Sequence, residues 1–428
     1  MPDHRIRYKK RIIVLALSLL LLAAALIGLA IWQGWFSQPA VKMNVSMPGS
    51  VSGDAAEYRL DYQLSDQLRW RMETLLKSDE NGLLASQYQL AGRFGEPAAL
   101  LSTDYLANDQ LLFGQYLLEQ DDQRGFSDWW LNFGKTFQAV NGLIRSRAGQ
   151  TDEEMTADDD FLRVNLTAVR LLAQSCSRWP DTARQNALQQ HSDRLLELCG
   201  QGFQNDFAAK LPLPVPTLDP GATPTPKPAI SPSVSDNGLI LPVLRLASVD
   251  LFTLQQLAVL DARWQSLYDR YLPVLQNGYL GDDLPLYALG INQTAGSYLY
   301  FTGDSPSINT EEALTTLLHL CETGQDQERS LNWLRDQMFN QHAIYLSYHV
   351  AQGQPTSDQE SLKAYAIVAR IARIKGDRDL YDAAVNRLLW HQATSKTSEA
   401  LSAVFRTDST GIVYVIASDN AWALLSLR

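Results

Sequence analysis

Two acidic clusters between Leu101 and Asp160 have the residue types and placement that acid–base chemistry needs. The first reads Leu-Ser-Thr-Asp-Tyr-Leu-Ala-Asn-Asp-Gln-Leu-Leu, with Asp104 and Asp109 just ahead of an apolar run. The second, Thr156-Ala-Asp158-Asp159-Asp160-Phe-Leu, also stands ahead of an apolar run. Carboxyl groups fixed at the ends of packed helices can cleave a glycosidic bond, one protonating the leaving oxygen while another activates water. Helices also carry Asp in the first turn simply because it favours the macrodipole. The clusters by themselves leave both readings open.

The elements around them are helical. Leu64, Leu68, Trp70, Met72, Leu75 and Leu76 mark one amphipathic face. Leu106–Leu118, Trp129–Ile144, Phe161–Ala173 and Ala187–Cys199 continue the helical period. A proline-rich stretch then spans Leu211 to Pro232, which excludes helix and central strand and predicts an extended loop. Helices are expected again over Asp250–Leu260, Ala262–Gln276, Leu284–Tyr300, Thr310–Cys321, Ser330–Phe339, Ser361–Lys375, Leu380–Trp390 and Asn420–Leu427. Val413–Ile416 is the one convincing strand-like run. About a dozen helices in antiparallel pairs fit a solenoid or a closed ring. Solenoids carry a fixed repeat of about 34–45 residues, and no such period is evident. The expected fold is therefore all-α, an (α/α)6 barrel of helical hairpins, with the proline-rich segment (211–237) as an insertion loop.

Ahead of the barrel, Arg5, Arg7, Lys9, Lys10 and Arg11 precede an uncharged stretch from Ile12 to Trp35, long enough to cross the roughly 30 Å hydrocarbon core. The basic residues predict a cytoplasmic N-terminus, and Trp32 and Trp35 suit the interface. The organisation expected is a basic tail (1–11), a transmembrane signal anchor (12–35), a stalk (36–57) and an extracytoplasmic domain (58–428). The net charge of −11, with no basic stripe beyond the tail, argues against nucleic acid. Cys176, Cys199 and Cys321 read as buried thiols, although Cys176 and Cys199 could meet across a hairpin. His342 and His349 lack a carboxylate in zinc spacing, so neither metal nor cofactor is expected. Asn165-Leu-Thr167 and Asn292-Gln-Thr294 match the glycosylation spacing, and Asn309-Thr-Glu-Glu312 reads as a helix cap.

From about Trp70 to Arg428 the segments, taken in order, resemble glycoside hydrolase family 8, the bacterial endoglucanases that include the cellulase of cellulose-synthesis operons. Ser102-Thr-Asp104 through Leu111-Leu112 lies where the family has Ser-Glu-Gly-Gln-Gly-Tyr-Gly-Met-Leu-Leu. Phe126–Phe133 is similar to its Phe-x-x-Leu-Trp-x-Trp, and Ala157-Asp-Asp-Asp160 to its Thr-Asp-Ala-Asp. Asp261-Ala-Arg-Trp264 resembles Asp-x-x-Trp, while Gly278-Tyr279 with Pro285-Leu-Tyr287 resembles Gly-Tyr-Asp-Ala-x-Arg-x-Pro-Leu-Tyr.

The resemblance implies a six-hairpin glycosidase fold and inverting, two-carboxylate hydrolysis of a β-linked polysaccharide or oligosaccharide. It implies Asp104 as general acid, one methylene shorter than the family's Glu, and Asp282 or Asp283 as base. Asp158 and Asp160 would hold the sugar in a distorted ring, with Tyr105, Trp129 and Tyr279 as stacking partners. Because each catalytic position departs from the family residue, two alternatives stand beside hydrolysis. One is a degenerate barrel that binds glycan or docks onto exopolysaccharide synthesis or secretion machinery; the other is a helical interaction scaffold.

Overall fold

The computed structural model describes residues 62–427, apart from 93–97, 157–159, 204–207, 213–239, 302–305 and 409. The expected membrane anchor and stalk, Asp158 and nearly all of the proline-rich loop therefore lie outside the described residues. Among those described, no helix is long and apolar enough to cross a membrane.

Twelve helices of seven or more residues build the barrel among the described residues, beside the short helix Asp152–Thr156. Six form an inner ring: α2 (Ala107–Glu119), α4 (Phe161–Arg178), α6 (Leu251–Leu257), α8 (Thr310–Glu322), α10 (Leu362–Lys375) and α12 (Ala417–Ser426). Each packs on the next, and α12 returns to α2, so the ring closes. Between them in sequence run α1 (Tyr62–Leu76), α3 (Gln123–Phe137), α5 (Thr182–Cys199), α7 (Ala262–Asn277), α9 (Glu328–Asp336) and α11 (Arg378–Leu389). These are the outer helices, with α1, α3, α5, α7 and α11 packed on inner partners. The inner helices are apolar nearly all round: ten of the fourteen residues of α10 are buried. A helix wrapped on every side has no solvent face to fill with charge.

Side-chain caps start many of these helices. Asp122, Asp181, Asp250, Asp261, Asn309, Ser361 and Asp377 each accept a backbone N–H from the first turn, satisfying otherwise orphaned donors. The expected cap at Asn309 is among them.

A repeated hairpin links outer to inner helices. Ser78 N–H donates to the Leu83 carbonyl and Ala85 N–H to that of Leu76; Ala139 to Leu143 and Arg145 to Phe137 repeat the pattern. It recurs with Leu280 to Leu286 and Ala288 to Gly278, and with Ala393 to Ala403 and Phe405 to His391. Three inner helices grip the returning arm with a buried amide. Gln110 exchanges two hydrogen bonds with the Leu84 backbone, Asn165 with Ile144 and Asn420 with Val404. Asn165 is fully buried in this grip, so its sequon is structural.

The structure corrects the sequence reading in several places. Leu284–Tyr300 is not a helix: Gly290–Asn292 pairs antiparallel with Ser297–Leu299, and Leu244–Arg245 joins them. The Asn292 side chain accepts the N–H groups of Thr294 and Ala295, and Gly296 adopts φ +67° to close the turn. A continuous apolar run carries no period that separates strand from buried helix. Val413–Ile416 is a strand, but it shares its sheet with Gln87–Gln89, Leu100–Leu101 and Arg406–Thr407. The expected Asp250–Leu260 helix ends at Leu257, and α3 starts at Gln123 and stops at Phe137 rather than spanning Trp129–Ile144. All three cysteines are buried free thiols.

Trp129 is a core residue, 5% exposed, stacked on Phe133 with ring centroids 5.2 Å apart. Its indole lies over Gly114 of α2, where an added Cβ would fall 2.2 Å from the ring. It offers no face to a sugar, which removes it as a stacking platform. Gly114→Ala sets a helix-propensity gain of about 1 kcal/mol against overpacking of about 1–3 kcal/mol. Three ring atoms inside 3 Å decide the sign: we expect a net loss, read as a lower urea midpoint.

Candidate active site at the barrel mouth

The N-terminal turns of five inner helices gather at one end of the ring, and their charged residues interlock. Arg163 of α4 donates to both oxygens of Glu312 on α8 at 2.9 Å. Arg245 adds a 2.8 Å contact to Glu312, and Asp160 lies 3.8 Å from Arg163. Glu311 faces Lys363 of α10 and Arg406, both at 3.7 Å, and accepts the Ser361 hydroxyl at 2.8 Å. Arg406 in turn holds Asp419 of α12 through both carboxylate oxygens. The sixth inner helix, α6, starts deeper: its cap Asp250 lies beside Glu322, the last residue of α8. The extended segment bearing Arg245 takes its place at the mouth.

Burial and neighbouring charge set these carboxyl groups apart. Asp109, in the first turn of α2, is pushed up to about 7 by burial and by the negative charge of Asp419, with Asp160 adding and Lys363 opposing. Asp419 is also raised, by burial, although Arg406 opposes this. Burial would raise Glu312 as well, but Arg163, Arg245 and Lys363 outweigh it and hold its carboxyl down at about 2. One barrel end thus carries both a carboxyl that titrates near neutral pH, Asp109, and one held ionised, Glu312, the divergence that acid–base sites exploit.

The residues singled out from sequence are carried by different elements. Asp104 is exposed, just before α2, and Tyr105 is half-buried beside it. The Asp104 N–H donates to Ser102 Oγ, and its carbonyl accepts the Ser86 N–H. Asp160 joins the same end through Arg163. Asp282 and Asp283 sit at the tip of the hairpin between α7 and α8, both exposed. There Asp282 pairs with Arg329 of the outer helix α9, and the Tyr279 hydroxyl reaches toward it at 3.5 Å. Tyr279 packs edge-on against Tyr287. The structure therefore joins Asp282 to Tyr279 and Arg329, and joins Asp160 to the ring of charges beside Asp109.

Asp109 had no assigned role in the sequence reading, and Asp419, Glu312 and Arg406 were not singled out as site residues. A signal existed: Ala107-Asn-Asp109-Gln110 and Ala417-Ser-Asp419-Asn420 open two adjacent inner helices with the same order of Ala, Asp and clamping amide.

No protein-family model matches the chain, and no curated protein does. Solved structures do match. A novel alpha-amylase from Clostridium perfringens shares 19% identity at a TM-score of 0.66, covering 86% of this chain and 98% of that one. PssZ from Listeria monocytogenes shares 14% identity at 0.53, covering 91% and 98%. An endoglucanase from Komagataeibacter sucrofermentans shares 16% identity at 0.50, covering 85% and 97%. The chain thus shares the fold of these structures, the (α/α)6 barrel that its resemblance to family 8 implies.

Proposed function

We propose that this is a membrane-anchored, extracytoplasmic, family 8-like glycoside hydrolase that works on a polysaccharide at the barrel mouth. The observation that carries the reading is Asp109, raised to about 7 in the first turn of α2 and sensing the charge of Asp160 at the start of α4, with the exposed Asp104 just ahead of α2. Asp104 is exposed and lies where the resemblance places the general acid, so we assign it as proton donor. Asp282 and Asp283 lie in the α7–α8 hairpin, and Asp282 is paired with Arg329. We assign the water-activating role to Asp160, which shares the mouth with Asp109, and the holding of the sugar to Asp158 and Tyr105. Inversion requires a carboxyl separation of roughly 6.5–9.5 Å with water between.

A β-linked glucan follows from the resemblance, and an α-linked one from the likeness to the alpha-amylase, so both belong in the test. Reducing-sugar release by the full chain should be measured on starch, carboxymethyl-cellulose, lichenan, xylan and chitosan. We expect release on at least one, and a loss of 10²-fold or more in Asp104→Asn and Asp160→Asn, the usual range for a general acid or base. Equal release by wild type and both variants would remove the assignment. A second reading, a glycan-binding partner of polysaccharide synthesis, draws on the ion pairs that occupy Glu311, Glu312, Asp419 and Asp282. Quenching of tryptophan fluorescence by oligosaccharides without any turnover would favour it over hydrolysis.

A further inference from the structure

Beneath the mouth, along the barrel axis, lies a cavity of about 70 Å³ bounded by α2, α4, α8, α10 and α12. On its wall His319, Asp250 and Glu322 bring one nitrogen and two carboxylate oxygens within 4.8 Å of one another. We propose that these three residues bind a divalent transition-metal ion, zinc by the chemistry of the donors, and that it ties α6 to α8 within the ring.

Hydrogen bonding fixes the imidazole. Nε2 lies 3.2 Å from the Ala247 carbonyl oxygen and donates its proton there, leaving an Nδ1 lone pair directed into the cluster. Nδ1 is buried without a hydrogen-bond partner. It is 3.7 Å from Glu322 Oε2 and 3.9 Å from Asp250 Oδ1, too far for hydrogen bonds. A triangle with these two edges and a third of at most 4.8 Å has a point about 2.0–2.5 Å from every corner, which spans the Zn–N and Zn–O bond lengths.

The remaining contacts leave room for that bond. Asp250 Oδ1 accepts the Thr253 N–H at 2.9 Å, and Oδ2 accepts the Thr253 hydroxyl at 2.6 Å and Arg170 Nη1 at 2.9 Å. Arg170 also donates to Glu322 Oε1 at 2.7 Å and Oε2 at 3.0 Å. Each carboxylate oxygen has two lone pairs, so one remains on Oδ1 and one on Oε2. With His319 neutral, as a metal ligand must be, Arg170 supplies one positive charge against two negative ones. A buried set with a net negative charge calls for a further cation.

An independent feature marks the open side of the site. Ser248 lines the same cavity, is 3% exposed, and its Oγ has no hydrogen-bond partner. A water completing the coordination of the ion would supply that partner. The donor set also fits the metal: imidazole with carboxylates suits zinc or manganese and not a thiolate-seeking ion.

The test uses the full-length chain, stripped with a chelator and titrated with Zn²⁺ alone. We expect one zinc per chain by elemental analysis, a rise in Tm on binding, and at least tenfold weaker binding in His319→Ala. Co²⁺ should bind competitively and give the visible absorption of a low-coordinate N/O site, which keeps the test decisive if the variant fails to fold. Absence of bound zinc in wild type, or equal stoichiometry and affinity in folded His319→Ala, would overturn the site. Manganese bound in place of zinc would keep the site and change the ion.

Discussion

Arg170→Met is expected to destabilise the metal-free protein by about 3–5 kcal/mol at neutral pH, the cost of leaving buried carboxylates without their cation. Arg170 alone bridges α4 to Asp250 and Glu322 through three charge-assisted hydrogen bonds. Methionine fills similar space and restores none of that charge. The pH dependence gives a second readout. Burial would raise Glu322, but Arg170 outweighs it and holds the carboxyl below the usual range. A depressed folded value stabilises above the unfolded pKa and is lost as pH falls through the folded one. The gap between wild type and variant should therefore be largest at pH 7 and narrow below pH 4. Urea melts in chelator at both pH values decide it, and equal midpoints at pH 7 would refute the account. Adding Glu322→Gln to the variant should recover much of the loss, since the orphaned charge goes with it.

Asp109→Asn is expected to act in the opposite direction. A buried carboxyl raised to about 7 contributes fully below its unfolded value near 4 and progressively less as pH rises to 7. Above pH 7 the fold must carry an ionised Asp109 beside Asp419. Three pKa units correspond to on the order of 4 kcal/mol, and asparagine escapes that penalty. The variant should melt several degrees higher than wild type at pH 8 and at nearly the same temperature at pH 4. An unchanged difference across that range would mean that Asp109 is not the protonated group. If hydrolysis depends on Asp109, activity should fall as stability rises, the usual exchange at a strained site.

The closed ring was legible because the inner helices keep long apolar runs with Asp, Asn or Ser at their starts. The hairpins were not, because helical period says nothing about them and their spacing is uneven. Asn81-Gly82-Leu83-Leu84 and Asn141-Gly142-Leu143-Ile144 are traces of one recurring unit. The later copies at 278–288 and 391–405 keep its hydrogen bonds and lose its letters. A search for a constant interval passes over such a unit.

The mouth was legible in part. Asp104 and Asp160 stand out in the chain because each belongs to an acidic cluster before an apolar run. Glu312, Arg406 and Asp419 do not, since their partners come from helices far away in sequence. The His319 cluster was hidden for the same reason: its ligands come from α8 and from the cap of α6, at an interval that no zinc motif uses. Trp129 misled because an aromatic residue is read alike in a core or a cleft; Gly114, which makes room for it, lies on another helix.

The buried amides also bear on how this architecture tolerates change. Gln110, Asn165 and Asn420 fasten each returning arm at its root, so extra residues at the tip bulge outward without shifting the rod that follows. The copy between Gln392 and Val404 is longer than that between Gln138 and Ile144, yet both present the same backbone groups to their amide. Lineages can therefore lengthen or recharge the outer rim freely while the axial groups keep their positions.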